Sequence, residues 1–262
     1  MSTIKEYYNI DYDEWGRLDR HPIEFEITKK VLNEFIEASS KVLDVGGGPG
    51  RYSIYLAENG HRVTLFDLSE THVKQAREKA ANSGVAIQDF INGNVLELDS
   101  LLPDMDFDVV LCMGPMYHLL EENERKVALV QCINKLKPGG IIIISFISCY
   151  APLVHCLKAD PENIMENKNR LLQYLSDGKN DKQFGFTDAY FINPENIETL
   201  TSSVGLQTIK IMATEGLGAV CEPSLMQLTK DDFKEWIELF YEIASNKVIW
   251  GSCEHLLYVG RK

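Results

Sequence analysis

The sequence predicts an α/β protein built on a doubly wound, mostly parallel sheet of seven strands with an antiparallel strand at its edge. Three observations lead there. Lys41 to Ala57 reads as a short apolar strand, a glycine turn and a helix. Strand-like apolar runs recur after it, with helical stretches between them. Phe107-Asp-Val-Val-Leu-Cys112 then enters a Gly-Pro break that a central strand cannot continue through. Such alternation suits a parallel sheet, because each crossover must pass over one of its faces.

Composition narrows the possibilities. With 262 residues, 45% of them apolar and 25% charged, the chain has an ordinary globular composition and enough length for a substantial core. Met1 to Glu6 shows no apolar signal region, and the run Ile141 to Ile144 is too short to span a bilayer. A cytoplasmic protein with no membrane partner is expected. The six cysteines are scattered without a Cys-x-x-Cys pair, which argues against a zinc cluster or a disulfide framework and for small core residues. No metal site is expected. A net charge of -13 opposes binding to a polyanion, so DNA is excluded as a partner and RNA is disfavoured.

The elements follow in order. Pro22, Ile23, Ile27, Val31 and Phe35 have helical spacing, with Pro and Glu in the first turn. Tyr7 to Arg20 carries Tyr7, Tyr8, Tyr12, Trp15, Arg17 and Arg20 without clean periodicity; it reads as a flap over a small-molecule site, with simple packing as the alternative. Val42, Leu43 and Val45 lead into Gly46 to Gly50, and such a turn lets a ligand approach backbone N–H groups at a helix N-terminus. The dinucleotide fingerprint needs glycine at the sixth position from Gly46, where Arg51 stands, and the Gly-Lys-Ser/Thr ending of a P-loop is absent. Nicotinamide cofactors and ATP are therefore disfavoured.

The helix ends near Asn59-Gly60, and Arg62 to Asp67 reads as a second strand ending in an acid suited to accept from both hydroxyls of a ribose. The alternative for Asp67 is a charge at the start of the next helix, which Ser69 to His72 caps and Val73, Ala76 and Ala80 continue. Ala86 to Ile91 is the third strand, followed by Asn92-Gly-Asn94-Val95. The fourth, Phe107 to Cys112, delivers Met113, Tyr117 and His118 to the carboxyl end of the sheet, where open α/β sheets bind ligands. His118 has the side chain whose ordinary pKa permits proton uptake near neutrality. His61, His72 and His255 have no partner pattern beside them and read as surface or strand residues.

Glu121 to Leu136 is helical with Val127, Val130 and Ile133 marking the inward face, and Lys137-Pro-Gly-Gly140 stops it before the buried strand Ile141 to Ile147. Ser148 to Tyr190 is irregular, and Phe184, Phe186, Thr187, Asp188, Tyr190 and Phe191 are candidates to line a lid. Pro194 to Val204 is a helix, Leu206 to Thr214 a strand, Lys230 to Ser245 an amphipathic helix and His255 to Gly260 the last strand. No short parallel crossover joins the last two strands, hence the antiparallel edge.

Asp44-Val-Gly46-Gly-Gly48-Pro-Gly50 resembles the first motif of the class I S-adenosylmethionine-dependent methyltransferases. Asp67 resembles their second, and Met113-Gly-Pro-Met-Tyr-His-Leu119 their fourth. That form is similar to bacterial small-molecule methyltransferases, not to the Asn/Asp-Pro-Pro-Tyr/Phe enzymes acting on exocyclic amines of bases or on protein glutamine. The ordered resemblance spans residues 38–148. It implies S-adenosylmethionine as cofactor and S-adenosylhomocysteine as product. Gly46, Gly48 and Gly50 would admit backbone approach, Asp44 would meet the methionine amino group, and the Met113 carbonyl would face the methionine part. Asp67, with Leu68 beside it, would hold the ribose, and Asn94 with Val95 the adenine. The family usually has an acid where Asn94 stands, though an amide oxygen can still accept from the adenine amino group. Tyr12 and Arg20 of the flap complete the expected set, the arginine pairing with the cofactor carboxylate.

The resemblance implies a single methyltransferase domain over 1–262: a helical flap (1–37), a cofactor-binding core (38–148), a lid insertion (149–191) and the C-terminal part of the core (192–262). The implied reaction is in-line methyl transfer to a small-molecule acceptor. His118 is the candidate base, with Tyr117, which also stands to contact substrate, or Tyr190 as alternatives. The rivals are a methyltransferase for protein or RNA, a non-catalytic S-adenosylmethionine-binding protein and, third, a nicotinamide oxidoreductase.

Overall fold

The structure, a computed structural model, describes residues 4–10, 13–103, 106–181 and 187–262. Three helices come first: α1 (Ile4–Ile10), α2 (Glu14–Arg20) and α3 (Pro22–Phe35). The sheet then begins with β1 (Lys41–Val45), α4 (Arg51–Glu58), β2 (Arg62–Asp67), α5 (Glu70–Asn82) and β3 (Asp89–Asn92). After α6 (Leu98–Leu101) come β4 (Phe107–Cys112), α7 (Glu122–Lys135) and β5 (Leu136–Ile147). Two helices, α8 (Ala151–Ala159) and α9 (Ile164–Asp177), precede a small antiparallel pair, β6 (Lys179–Asn180) with β7 (Ala189–Tyr190). The chain closes with α10 (Ile197–Ser202), β8 (Gln207–Ala213), α11 (Glu222–Leu225), α12 (Lys230–Ile243) and β9 (His255–Arg261).

The strand order is β3-β2-β1-β4-β5-β9-β8. Strands β1 to β5 run parallel, and β9 lies antiparallel between β5 and β8, which puts antiparallel pairing at the expected edge, with β8 outermost. The chain winds outward from β1 through β2 and β3, then returns to β4 on the other side of β1. Crossovers diverge at that reversal and leave a crevice above the carboxyl ends of β1 and β4. In register, Val45 stands opposite Phe66 and Cys112, so the ends of all three strands open on the same level.

Alternation along the strands feeds two apolar layers. Leu43, Val45, Phe66, Val110 and Cys112 pack on one face with Ala128, Leu129 and Cys132 of α7. Val42, Val63, Val109 and Leu111 pack on the other with Val31 and Leu32 of α3 and Leu56 of α4. Two details differ from expectation. The third strand starts at Asp89, not Ala86, because Gln88 N–H already reaches Val63 O at 2.7 Å and aligns the chain only from there. In α7, Val127 and Val130 are 39% and 43% exposed. The inward face is instead shared with buried Arg125 and Lys135, whose charges are met locally: Arg125 donates to Leu119 O at 2.6 Å, and Lys135 pairs with Asp99 at 2.8 Å. Long aliphatic stems serve as apolar cover there. Five cysteines are buried and Cys221 is exposed. No helix among the described residues is long and apolar enough to cross a membrane.

Candidate active site

The glycine turn is positioned by strand ends on both sides of it. Gly46 N–H donates to Phe66 O at 2.8 Å, and Gly46 has φ +74° with Pro115 packed so closely that a Cβ would lie 2.6 Å from its Cδ. Only glycine meets both demands. Gly48 borders the cavity beside the turn, whereas Gly50 does not. Gly50, with φ +90°, heads α4 where a Cβ would approach Ala76 Cβ at 3.1 Å, so its role is close packing of α4 on α5 and not the expected approach to a ligand.

Two carboxylates stand at this turn. Asp44 is 1% exposed beneath Gly47, and Ser53 donates to it at 2.6 Å. Burial pushes its carboxyl up to about 6, against the Ser53 bond, with some help from the charge of Asp67. Asp67, at the end of β2, accepts from Gly48 N–H and from Ser69 N–H, both at 2.8 Å. Two backbone donors thus fix its carboxylate, and each oxygen keeps a further lone pair.

Asp44, Gly46, Gly48, Asp67, Leu68, Asn94, Val95 and Met113 all border one cavity of about 220 Å³. Asn94 departs in one respect: its carbonyl oxygen caps Leu96 N–H at 3.0 Å, which turns the amide nitrogen to the other side. Tyr117 donates to Met113 O at 3.1 Å and so occupies the carbonyl expected to face the ligand. His72, expected at the surface, is 3% exposed in the wall of this cavity, 3.7 Å from Asp67.

A second cavity of about 780 Å³ lies between the N-terminal helices and the segment after β5. Tyr8, Glu14, Arg17 and Tyr117 border both cavities, while His118 borders the first alone. Arg20 borders only the second and pairs with exposed Asp13 at 3.2 Å. Arg17, one helical turn earlier, borders both cavities and donates to Glu14 at 3.0 Å and to both oxygens of Glu24 at 2.6 and 2.9 Å. Phe191 borders the second cavity; Thr187 and Asp188 reach His118. Tyr190, an expected alternative base, borders neither cavity and lies 3.6 Å beneath the Arg125 guanidinium. Tyr12, Phe184 and Phe186 fall outside the described residues.

Arg51 ties α2 and α3 to the turn. It pairs with Asp19 at 2.8 Å and stacks on Trp15 and Phe25 at 4.8 and 4.7 Å. Below them runs a charged floor that the sequence did not announce. His255 Nδ1 meets Glu215 at 2.6 Å and Glu24 at 3.7 Å, and His21 meets Glu222 at 3.0 Å. Burial lowers the pKa of His255, but the two carboxylates outweigh it and raise it to about 9. Glu24, Glu215 and His255 have ligating atoms within 4.8 Å of one another. Arg17 already spans both oxygens of Glu24, so the group reads as an ion network closed by protein cations.

Residues 42–140 match the model of a family described as a methyltransferase domain. With the sheet order and turn geometry above, this identifies a class I S-adenosylmethionine-dependent methyltransferase domain in the chain. The chain is 33% identical over 145 residues to a ubiquinone biosynthesis O-methyltransferase of Rickettsia felis, covering 54% of this chain and 56% of that one. It is 30% identical over 142 residues to a tRNA 5-carboxymethoxyuridine methyltransferase of Escherichia coli K12, covering 53% and 52%. The chain spans about half the length of these curated relatives. Magnesium protoporphyrin IX methyltransferase of Synechocystis PCC 6803, solved with bound S-adenosylhomocysteine, shares the fold with TM-score 0.59 at 16% identity, over 99% of this chain and 98% of that one.

Proposed function

We propose that this protein transfers a methyl group from S-adenosylmethionine to a small-molecule acceptor. The observation that carries the reading is the Asp67 carboxylate, fixed by the Gly48 and Ser69 amides at the wall of a cavity that adjoins a second, larger one. The donor set fits the cofactor: a carboxylate for ribose hydroxyls, an amide at Asn94 for the adenine edge, and a buried carboxyl at Asp44 for the amino group. Arg17 replaces Arg20 as the partner for the carboxylate end. When bound, the cofactor supplies a methyl group on a sulfonium, already an activated leaving group. The residues then have to align the acceptor and exclude water. We assign α1 and α2 as the flap and α8, α9 and β6–β7 as the lid of one domain, with transfer where the two cavities meet, beside Tyr117.

A small acceptor is favoured by the second cavity and by the net charge of -13. The tRNA-modifying relative keeps an RNA acceptor as the second reading. Calorimetric titration with S-adenosylhomocysteine, with NAD in parallel, tests the cofactor. Binding of the former alone is expected, and binding of neither removes the reading. Incubation of tRNA with labelled methyl donor tests the rival acceptor.

A further inference from the structure

His118 does not face the space assigned to the acceptor. It borders the first cavity, and Tyr8 stands between it and the second. The directions of the hydrogen bonds around His118 follow from its partners. The Asp188 carbonyl, 3.5 Å from Nδ1, can only accept. Thr187 Oγ1 lies 3.1 Å from Nδ1 and gives its own proton to Asp188 O at 3.1 Å, so it too can only accept from the ring. Nδ1 therefore carries the imidazole proton and Nε2 presents a lone pair. Tyr8 Oη lies 2.8 Å from Nε2, and its phenol must be the donor.

We propose that Tyr8 and His118 form a proton relay that deprotonates a hydroxyl group of an acceptor seated in the second cavity, making this an O-methyltransferase. The inference rests on the methyl-transfer reading above. The acceptor O–H donates to Tyr8 Oη. As the acceptor oxygen forms its bond to the methyl carbon, the carbon–sulfur electron pair is left on sulfur. The acceptor proton passes to Tyr8 Oη and the phenol proton to His118 Nε2, while Nδ1–H stays on Thr187. One proton leaves the acceptor and one arrives on the imidazole, so the positive charge lost from sulfur reappears on the ring. Tyr8 is the catalytic residue because its oxygen touches the acceptor; His118 and Thr187 act through it.

Two features suit oxygen chemistry. The ordinary pKa of a phenol is close to that of phenolic or enolic acceptors, so the proton passes between oxygens of similar basicity. Burial lowers the pKa of His118 to about 4, against the pull of Asp188 O and of the Asp67 charge, so the resting ring is neutral at neutral pH and holds a proton only while the methyl transfer draws it from the acceptor. Among the described residues, the groups facing this ring include the Tyr8 hydroxyl, the Tyr117 ring at 4.7 Å, the Thr187 hydroxyl, the Asp188 carbonyl and the Asp67 charge; His72 is stacked on Tyr8 at 5.4 Å.

Nitrogen NMR of the imidazole, on the protein with S-adenosylhomocysteine bound, tests the relay without turnover. The expected result is a protonated Nδ1 and a bare, hydrogen-bonded Nε2 whose resonance shifts in Tyr8→Phe. A proton on Nε2 overturns the proposal. The second arm supplies labelled methyl donor with 3,4-dihydroxybenzoate or with an aromatic amine. Label on a catechol oxygen supports the proposal, and label on the amine alone overturns it. With the methylated acceptor, Tyr8→Phe and His118→Gln should each slow single turnover about 100-fold, with no further loss when combined. Additive losses, or wild-type turnover in Tyr8→Phe, refute the relay. Loss of S-adenosylhomocysteine binding in the unaltered protein would instead refute the methyltransferase reading itself.

Discussion

Asp44→Asn should make the ligand-free protein more stable and the cofactor site worse. The carboxyl is raised from 3.8 to about 6, chiefly by burial. An acid whose folded pKa lies above its unfolded value binds its proton more tightly in the native state. Its effect is nil below the unfolded pKa, and stability is lost as pH rises from 3.8 to about 6. Roughly two pKa units at about 1.4 kcal/mol each put the cost of the buried charge at about 3 kcal/mol near neutrality. Asparagine keeps the shape and an acceptor for the Ser53 hydroxyl, 2.6 Å away in the parent, and carries no charge. Urea denaturation of both proteins at neutral pH and near pH 4 is the assay. The variant should gain up to about 3 kcal/mol at neutral pH and nothing near pH 4. Calorimetry should show S-adenosylhomocysteine bound at least about tenfold more weakly, since a charged partner for its amino group is gone. Equal stability at neutral pH, or a gap of the same size near pH 4, refutes the assignment of a costly buried charge.

Other changes probe the remaining parts of the site. Asp67→Ala should abolish measurable S-adenosylhomocysteine binding while circular dichroism stays native, and retained affinity would remove Asp67 from the site. Gly50→Ala should destabilise by about 1–2 kcal/mol from its left-handed backbone alone, read as a lowered urea midpoint. Arg51→Ala should loosen α2, costing about 1–2 kcal/mol of stacking and ion pairing and speeding proteolysis before Pro22. His255, raised from 6.5 to about 9 by Glu24 and Glu215 in spite of burial, contributes stability that is full below 6.5 and lost as pH rises through 9. The stability of the parent should fall by about 3 kcal/mol across that window, and the profile of His255→Gln should be flat there.

What the sequence made legible was local or recurred along the chain. The strand, turn and helix from Lys41 to Glu58 are held by contacts among near neighbours, and Asp67 declares itself as an acid at a strand end after such a turn. Sequence spacing does not separate Arg17, which borders both cavities, from Arg20, which borders the second alone, because which carboxylate each meets is settled only by folding. Val127 and Val130 misled because apolar spacing does not reveal that Arg125 and Lys135 find partners indoors. Tyr8 and His255 were beyond reach for another reason. Tyr8 meets His118, 110 residues distant, and His255 meets Glu215, 40 residues distant, as well as Glu24 at the other end of the chain; no short pattern marks pairs that only the fold brings together.

The insertion of β9 between β5 and β8 has a consequence for how the protein comes into being. While it is synthesised, β8 has nothing to pair with until β9 follows it, and the Glu24–His255 contact joins the first helical turn of α3 to that same late segment. The part built on β1 to β5 can order early from contacts close in sequence, but the ion network around His255, which lines the second cavity, must wait for β9. With the acceptor seated in the second cavity as proposed, the young chain would meet its methyl donor before it has anywhere to seat a substrate.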